Sequence, residues 1–173
     1  MPGVTCDDRG VIEDQSAVEV GGEVFTVRAA RRADLPDVVA MLADDPLGSA
    51  REGAPPAAYE SAFEAIDADP RQLLAVMTAA DGAVVGTLQL TTIPGLSRGG
   101  ALRGQIEAVR VHSRLRGRGL GGPFLRWAID EARRRGCAVV QLTTDRSRVD
   151  AHRFYERLGF VASHVGMKLD LRG

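Results

Sequence analysis

One α+β domain with a mixed sheet is the fold class this sequence predicts. Three observations predict it: a length that suits a single core, strand and helix periodicities that interleave along the chain, and a glycine-rich loop between a strand and a helix. The chain has 173 residues, 45% hydrophobic and 26% charged, enough to bury one sizeable core and too few for two ordinary domains. Its 22 basic and 23 acidic residues leave a formal charge of -1, so the molecule as a whole has no electrostatic footprint for nucleic acid or an anionic membrane.

Residues 1–22 are rich in Asp, Glu and Gly with little periodicity. They read as a flexible N-terminal extension that could fold over a neighbour, leaving residues 23–173 as the domain. Phe25, Val27 and Ala29 alternate with Thr26 and Arg28, the period of a half-buried strand. Asp34 can cap a helix whose Leu35, Val38, Val39 and Leu42 form one apolar face. The stretch DDPLGSAREGAPP is a loop by its Pro and Gly content, and Tyr59, Phe63 and Ile66 then recur at helical spacing until Pro70. Residues 73–78 and 83–92 flank Asp81-Gly82, a dipeptide that favours a tight hairpin turn.

After a glycine-rich connection over 94–104 comes a strand, QIEAVRV, and then HSRLRGRGLGGP leads into a helix with Phe124, Leu125, Ala128, Ile129 and Ala132 on one face. Pro123 suits its first turn, where a missing N–H leaves nothing unsatisfied. Arg133, Arg134 and Arg135 suit its C-terminal end, and Gly136 ends it. A strand, CAVVQLT, follows. Ser147 and Asp150 have capping-box spacing ahead of a helix whose inner face is Ala151, Phe154, Tyr155 and Leu158, ended by Gly159. Short strands over 160–163 and 167–171 close the order β-α-α-β-β-β-α-β-α-β-β, a mixed α/β or α+β single domain without internal repeats.

Cys6 and Cys137 are too few for a disulfide framework and lack metal-ligand spacing. The N-terminus has acidic residues where a signal peptide would be basic and then apolar, and no apolar run approaches the roughly 18 residues of a membrane helix. The expectation is a soluble, cytoplasmic protein.

The segment RGRGLG, residues 116–121, sits where free backbone N–H groups and the positive end of a helix dipole make an anion site. Gly117, Gly119, Gly121 and Gly122 let a phosphate approach the main chain, and Arg114, Arg116 and Arg118 add positive potential. Gly117, Gly119 and Gly122 also match G-x-G-x-x-G, with Asp145 near the end of the next strand. Against a dinucleotide fold, residues 112–116 separate strand from glycines, and too little chain follows Asp145 to finish that sheet. Nucleic acid is disfavoured by the absence of interleaved aromatics. Taken alone, the segment would pass as a solvated loop with a helix cap.

The surrounding residues change that reading. RGRGLG fits the R/Q-x-x-G-x-G signature of GCN5-related acetyltransferases, and DAHRFYERLGF resembles their later A-x-x-F-Y-x-x-x-G-F segment at the expected separation. VRAARRADLPDVVAML looks like the family's first strand and helix, so the resemblance runs from about residue 25 to the end. It implies a GNAT fold: a mostly antiparallel seven-stranded sheet, splayed between its fourth and fifth strands and flanked by about four helices. It further implies that Val109, Arg110 and Val111 bond the pantetheine arm of acetyl-CoA through main-chain groups, and that Arg116, Gly117, Arg118, Gly119, Leu120 and Gly121 wrap the pyrophosphate. The splay implies a bulge or lost pairing near Val109. Arg148 is a departure, standing where many members have an asparagine that contacts the cofactor arm.

Acyl transfer to an amine needs the ammonium deprotonated, the carbonyl polarised and the thiolate protonated. Glu107, placed by strand period on the face of Val109 and Val111, would be desolvated and its pKa raised toward that of a useful base. It resembles the strand glutamate that several members use; an ordinary ion pair with an arginine is the competing reading. The resemblance assigns the Tyr155 hydroxyl to the coenzyme sulfur, where it could protonate the thiolate. A backbone N–H near Val109 would hold the thioester oxygen.

His112, His152 and His164 are scattered and lack metal spacing, so no metal is expected, though His112 could touch a phosphate. No Cys/His or Ser/His/Asp arrangement is discernible, which favours direct transfer without a covalent enzyme intermediate. Asp44 and Asp45 could attract a cationic acceptor or simply be a solvated acidic loop. The first expectation is thus an N-acetyltransferase acting on a small-molecule or peptide amine, with no nucleic-acid or membrane partner. A non-catalytic acyl-CoA sensor and a nicotinamide-dependent oxidoreductase are the alternatives. Sheet-edge dimers are frequent in the family, so a homodimer is open.

Overall fold

Period-two alternation builds six strands, ordered β1-β2-β3-β4-β5-β6 across one sheet, in the computed structural model, which describes residues 15–44 and 52–171. They are β1 Ser16–Val20, β2 Glu23–Ala29, β3 Gln72–Thr78, β4 Val84–Ile93, β5 Leu102–Val111 and β6 Cys137–Leu142. The first five pair antiparallel in sequence order, and β6 joins β5 in parallel. A sheet with one parallel pair is not the doubly wound sheet of a dinucleotide fold, which removes the oxidoreductase alternative.

Among the described residues five helices accompany the sheet: α1 Leu35–Ala43, α2 Pro56–Ala68, a single turn α3 Ser97–Gly100 within the glycine-rich connection, α4 Gly121–Arg134 and α5 Val149–Arg157. The amphipathic faces place them. On one side of the sheet Phe124, Leu125, Ala128 and Ala132 of α4 are fully buried against Ala75, Met77, Leu88, Leu90 and Ile106. Glycines set the distance: a Cβ on Gly86 would lie 3.2 Å from the Phe124 ring and one on Gly104 3.2 Å from Ala132 Cβ. On the other side Leu35, Val38 and Met41 of α1 and Phe63 of α2 pack on Val76 and Val84.

Several expectations are corrected. Ser16–Val20, counted in the flexible extension, is instead β1, joined to β2 through Gly21-Gly22, both at positive φ (60° and 83°). Two glycines in that conformation make the primed turn that right-twisted strands prefer. Residues 1–14, Cys6 among them, lie outside the described residues. The strands expected over 160–163 and 167–171 do not join the sheet, so it has six strands where seven were expected. Their alternation is real, but no sheet edge is brought to them.

Asp34 does not cap α1. Its carboxylate accepts from the Arg31 N–H at 2.7 Å and from both terminal nitrogens of Arg28, at 2.7 and 2.9 Å, closing the turn before the helix. The Ser147/Asp150 capping box is also absent. The Ser147 N–H and hydroxyl both donate to Asp145 at 2.9 and 2.6 Å, and that aspartate anchors the turn rather than a ribose. At the end of α4, Glu131 is buried (5% exposed) because Arg134 and Arg135 both pair with it at 2.7 Å.

Candidate active site

The site begins with one extra residue in β5. Gln89 pairs with Glu107 and Thr87 with Arg110, so β5 spends three steps where β4 spends two, and Ala108 takes a positive φ of 53°. This is the bulge expected near Val109, a common device beside active sites. It also changes which side chains share a face. Counting by twos puts Glu107 with Val109 and Val111; the extra residue puts it with Arg110 on the side of Gln89 and Thr87. Glu107 is accordingly exposed rather than desolvated among valines.

The same strand opens a slot. β6 follows β5 from Leu102 to Ile106, where Ile106 meets Leu142, and residues 107–111 run on with no β6 partner. Two carbonyls of that free stretch are met by side chains: Arg110 Nη1 donates to Val109 O at 3.0 Å and Arg116 Nε to Val111 O at 3.1 Å.

Beyond β5 the chain turns through His112, whose Nδ1 accepts from the Arg114 N–H at 3.2 Å and so caps the turn. Gly117 and Gly119 follow at φ 79° and 86°, conformations that L side chains rarely adopt. A Cβ on Gly117 would meet nothing within 4 Å, so it would stand in open space. The loop feeds the first turn of α4, bringing the unsatisfied N–H groups of a 14-residue helix to the same place.

Together these elements wall a cavity of about 630 Å³, reaching from Val111 and Leu115 past the glycines to Phe154, Arg157 and Leu158 of α5. Arg116, Arg126 and Arg157 line it, and no carboxylate does, so the charged side chains of its lining are all basic. Of the predicted binding residues, Val111, Arg116, Gly117, Gly119, Leu120 and Gly121 are in this lining; Val109, Arg110, Arg118 and Arg148 are not. Arg118 points instead to Glu23 of β2. Arg116 reaches both the Asp44 carbonyl, at 2.7 Å, and its carboxylate, at 3.2 Å, which occupies Asp44 with an arginine; Asp45 lies outside the described residues. Sequence reading missed Arg126 and Arg157, since an arginine on an amphipathic helix gives no signal apart from solvation. Their signal was position: one helical turn past Gly122, and the ER of FYERLGF.

Tyr155 stands beside this cavity, its ring edge-on to Phe154 at 5.2 Å and Phe160 at 5.9 Å. Burial pushes its phenol above the ordinary value, and the fields of Arg148 and Arg110 pull partly back. Burial likewise raises the Cys137 thiol, unlike the lowered pKa of a nucleophile. Among the described residues no group of three or more His, Cys, Asp or Glu could hold a metal ion, and no helix is long and apolar enough to cross a membrane.

Residues 37–160 match the model of the Acetyltransferase (GNAT) family. A crystal structure of a transcriptional regulator from Bacillus halodurans C-125 has a TM-score of 0.82 at 46% identity, covering 85% of this chain and 99% of that one. Aminoalkylphosphonate N-acetyltransferase of Salmonella typhimurium is 43% identical over 61 residues, 35% of this chain and 40% of that protein. Glucosamine 6-phosphate N-acetyltransferase of Trypanosoma brucei brucei is 38% identical over 90 residues, 52% of this chain and 59% of that protein. The chain thus spans about half the length of the curated relatives it matches.

Proposed function

The chain belongs to the Acetyltransferase (GNAT) family, and we propose that it transfers an acetyl group from acetyl-CoA directly to a primary amine of a small molecule or peptide. The observation that carries this reading is the carboxylate-free cavity lined by Arg116, Arg126 and Arg157, with left-handed glycines at the mouth of α4. These groups fit a diphosphate: main-chain amides give the close contacts, and the guanidinium groups supply charge-assisted hydrogen bonds. The open edge over 109–111 suits an amide-bearing arm running alongside, once the Arg110 and Arg116 contacts to its carbonyls are shared or displaced. Acetyl-CoA, when bound, supplies an acyl group already activated as a thioester.

The remaining work falls to this chain's residues. Tyr155, with its pKa raised, keeps its proton at neutral pH and can give it to the departing sulfur. Glu107, exposed beside the bulge, can take a proton from the acceptor ammonium directly or through water. Names of the two curated relatives, each an N-acetyltransferase of an amine that also bears a phosphonate or phosphate, support a small-molecule acceptor. We place the protein in the cytoplasm.

A second reading, an acyl-CoA-binding sensor that does not turn over, is favoured by the exposure of Glu107 and by the description of the 46% identical structure as a transcriptional regulator. Two measurements separate them. Acetyl-CoA, and not NAD(P), should raise the melting temperature under either reading; release of free thiol over an amine panel should occur only under the first. Protection by NAD(P) alone would overturn both.

A further inference from the structure

A second group of polar side chains lies on the sheet face opposite α4; their chain neighbours Leu73, Leu90, Ile106 and Leu142 point into the α4 core. Residues paired across antiparallel strands share a face, so the register sets Gln72, Thr91 and Gln105 in one row over β3, β4 and β5. The parallel pairing of Gln105 with Gln141 extends it to β6. Two residues along, Gln89 stands opposite Glu107. The side chains tie the row together. Thr91 Oγ1 and Gln89 Nε2 donate to Gln72 Oε1 at 2.7 and 3.0 Å, and Gln141 Nε2 donates to Gln105 Oε1 at 2.8 Å.

α1 and α2 bury the apolar part of this face, over Leu74, Val76 and Val84, and leave the row open: Gln141 is exposed and Gln72, Gln89, Thr91 and Gln105 are half-buried. In a chain that is 26% charged, none of these five carries a charge, whereas charged side chains normally supply the solvated surface of a soluble protein. Each amide keeps one free end. Among the described residues Gln72 and Gln105 have no acceptor for their NH2 groups, and Gln89 and Gln141 have no donor to their carbonyls. Donors and acceptors therefore alternate from β3 to β6. The patch measures about 14 Å across the strands and about 7 Å along them, the footprint of a small molecule. Glu107 closes it on the side of the bulge, where β5 leaves β6.

We propose that this row is the acceptor subsite and that the acceptor is a small amine bearing several hydroxyl groups, held with its ammonium at Glu107 and its hydroxyls on Gln72, Gln89, Thr91, Gln105 and Gln141. A hydroxyl donates and accepts at once, so successive hydroxyls match amide ends that alternate. An alkyl chain in their place leaves those ends covered and unpaired, which costs more than the missing bonds would have contributed. A site that hydrogen-bonds a hydroxyl therefore rejects the analogue lacking it far more strongly than an apolar pocket rejects a wrong size. A compact patch also suits a polyol better than a peptide, whose main chain is best met by a free strand edge. The proposal rests on the acetyltransferase reading, since Glu107 has an ammonium to deprotonate only if an amine is acylated there.

Thiol release from acetyl-CoA should be measured with a hexitol amine, hexylamine and triglycine. The native chain should use the hexitol amine with a kcat/KM at least about 100-fold above either of the others. The double variant Gln105→Leu, Gln141→Leu replaces side chains already open to solvent, so it should keep the native circular dichroism and, by calorimetry, the acetyl-CoA affinity. Its preference for the hexitol amine over hexylamine should fall about tenfold or more, through KM and not kcat. Equal or better use of hexylamine or triglycine by the native chain overturns the proposal. So does a variant whose preference is unchanged, which would leave the row a solvated face. If acetyl-CoA binds and none of the three amines is used, this proposal falls and the cofactor reading stands; if acetyl-CoA does not bind, both fall.

Discussion

Tyr155 and Glu107 meet different environments, and the difference bears on the roles proposed for them. Tyr155 is held among aromatic rings with its phenol pKa raised by burial, so it keeps its proton throughout the neutral range. Tyr155→Phe removes the hydroxyl and keeps the packing; kcat should fall by about 10²–10⁴-fold, the usual worth of a positioned acid, with acetyl-CoA affinity little changed by calorimetry. An unaltered kcat would make Tyr155 structural. Asp34 carries a pH dependence of stability. Burial opposes its ionisation, but the Arg28 guanidinium and the Arg31 N–H outweigh it and hold the carboxyl below its ordinary 3.8. A carboxylate with a lowered folded pKa stabilises the fold above its unfolded pKa and loses that contribution as pH falls through the folded one. Urea midpoints should therefore decline below about pH 4. In Asp34→Ala part of that decline should vanish, and neutral stability should drop by about 1–3 kcal/mol as Arg28 and the Arg31 N–H lose their acceptor. A variant as acid-sensitive as the native chain would refute the assignment.

At the scale of elements, what the sequence made legible was whatever one local pattern decides. The apolar stripe of α4, the Asp81-Gly82 hairpin and the glycine loop 116–121 each lie within a window that sterics and burial control directly. β1 was legible too, since Gly21-Gly22 is a strong hairpin signal; the polar composition around it hid a strand of only five residues. The bulge position was legible only through family resemblance, and its effect on facing was not legible at all. An inserted residue flips every side chain after it, so period-two counting put Glu107 with the valines when it belongs with Arg110. Two cavity arginines were missed because their place in the lining comes from a helix docking beside a loop. The loop itself gives a clean test. Gly119→Ala puts an L residue at φ 86°, a strain of roughly 1–2 kcal/mol. Acetyl-CoA binding should weaken about tenfold or more if the loop yields by leaving that conformation. Tight binding with a lowered melting temperature would mean that the loop keeps its shape and that the amides around Gly119 bear the strain without losing the ligand.

The whole molecule concentrates on one edge of the sheet what a balanced charge denies it globally. A formal charge of -1 cannot steer an anion by its long-range field, so on the proposed function capture would depend on the three guanidinium groups and the helix terminus at short range. The core explains why that arrangement persists without ligand: α4 is pinned by four side chains of zero exposure, so its N-terminus is fixed by packing rather than by what it binds. Binding should then act on stability by mass action, with little rearrangement to offset it. At a hundredfold excess of acetyl-CoA over its Kd the gain is about 2.7 kcal/mol, which for a chain of 173 residues corresponds to a rise of roughly 5–11 °C in Tm at about 2–4 °C per kcal/mol. A calorimetric scan at several ligand concentrations checks both size and form, since the rise must follow the logarithm of free ligand. A saturating rise would indicate that the unfolded chain binds as well, and a rise left unchanged in Arg126→Ala, Arg157→Ala would mean that the cavity lined by Arg116, Arg126 and Arg157 is not where the ligand is held.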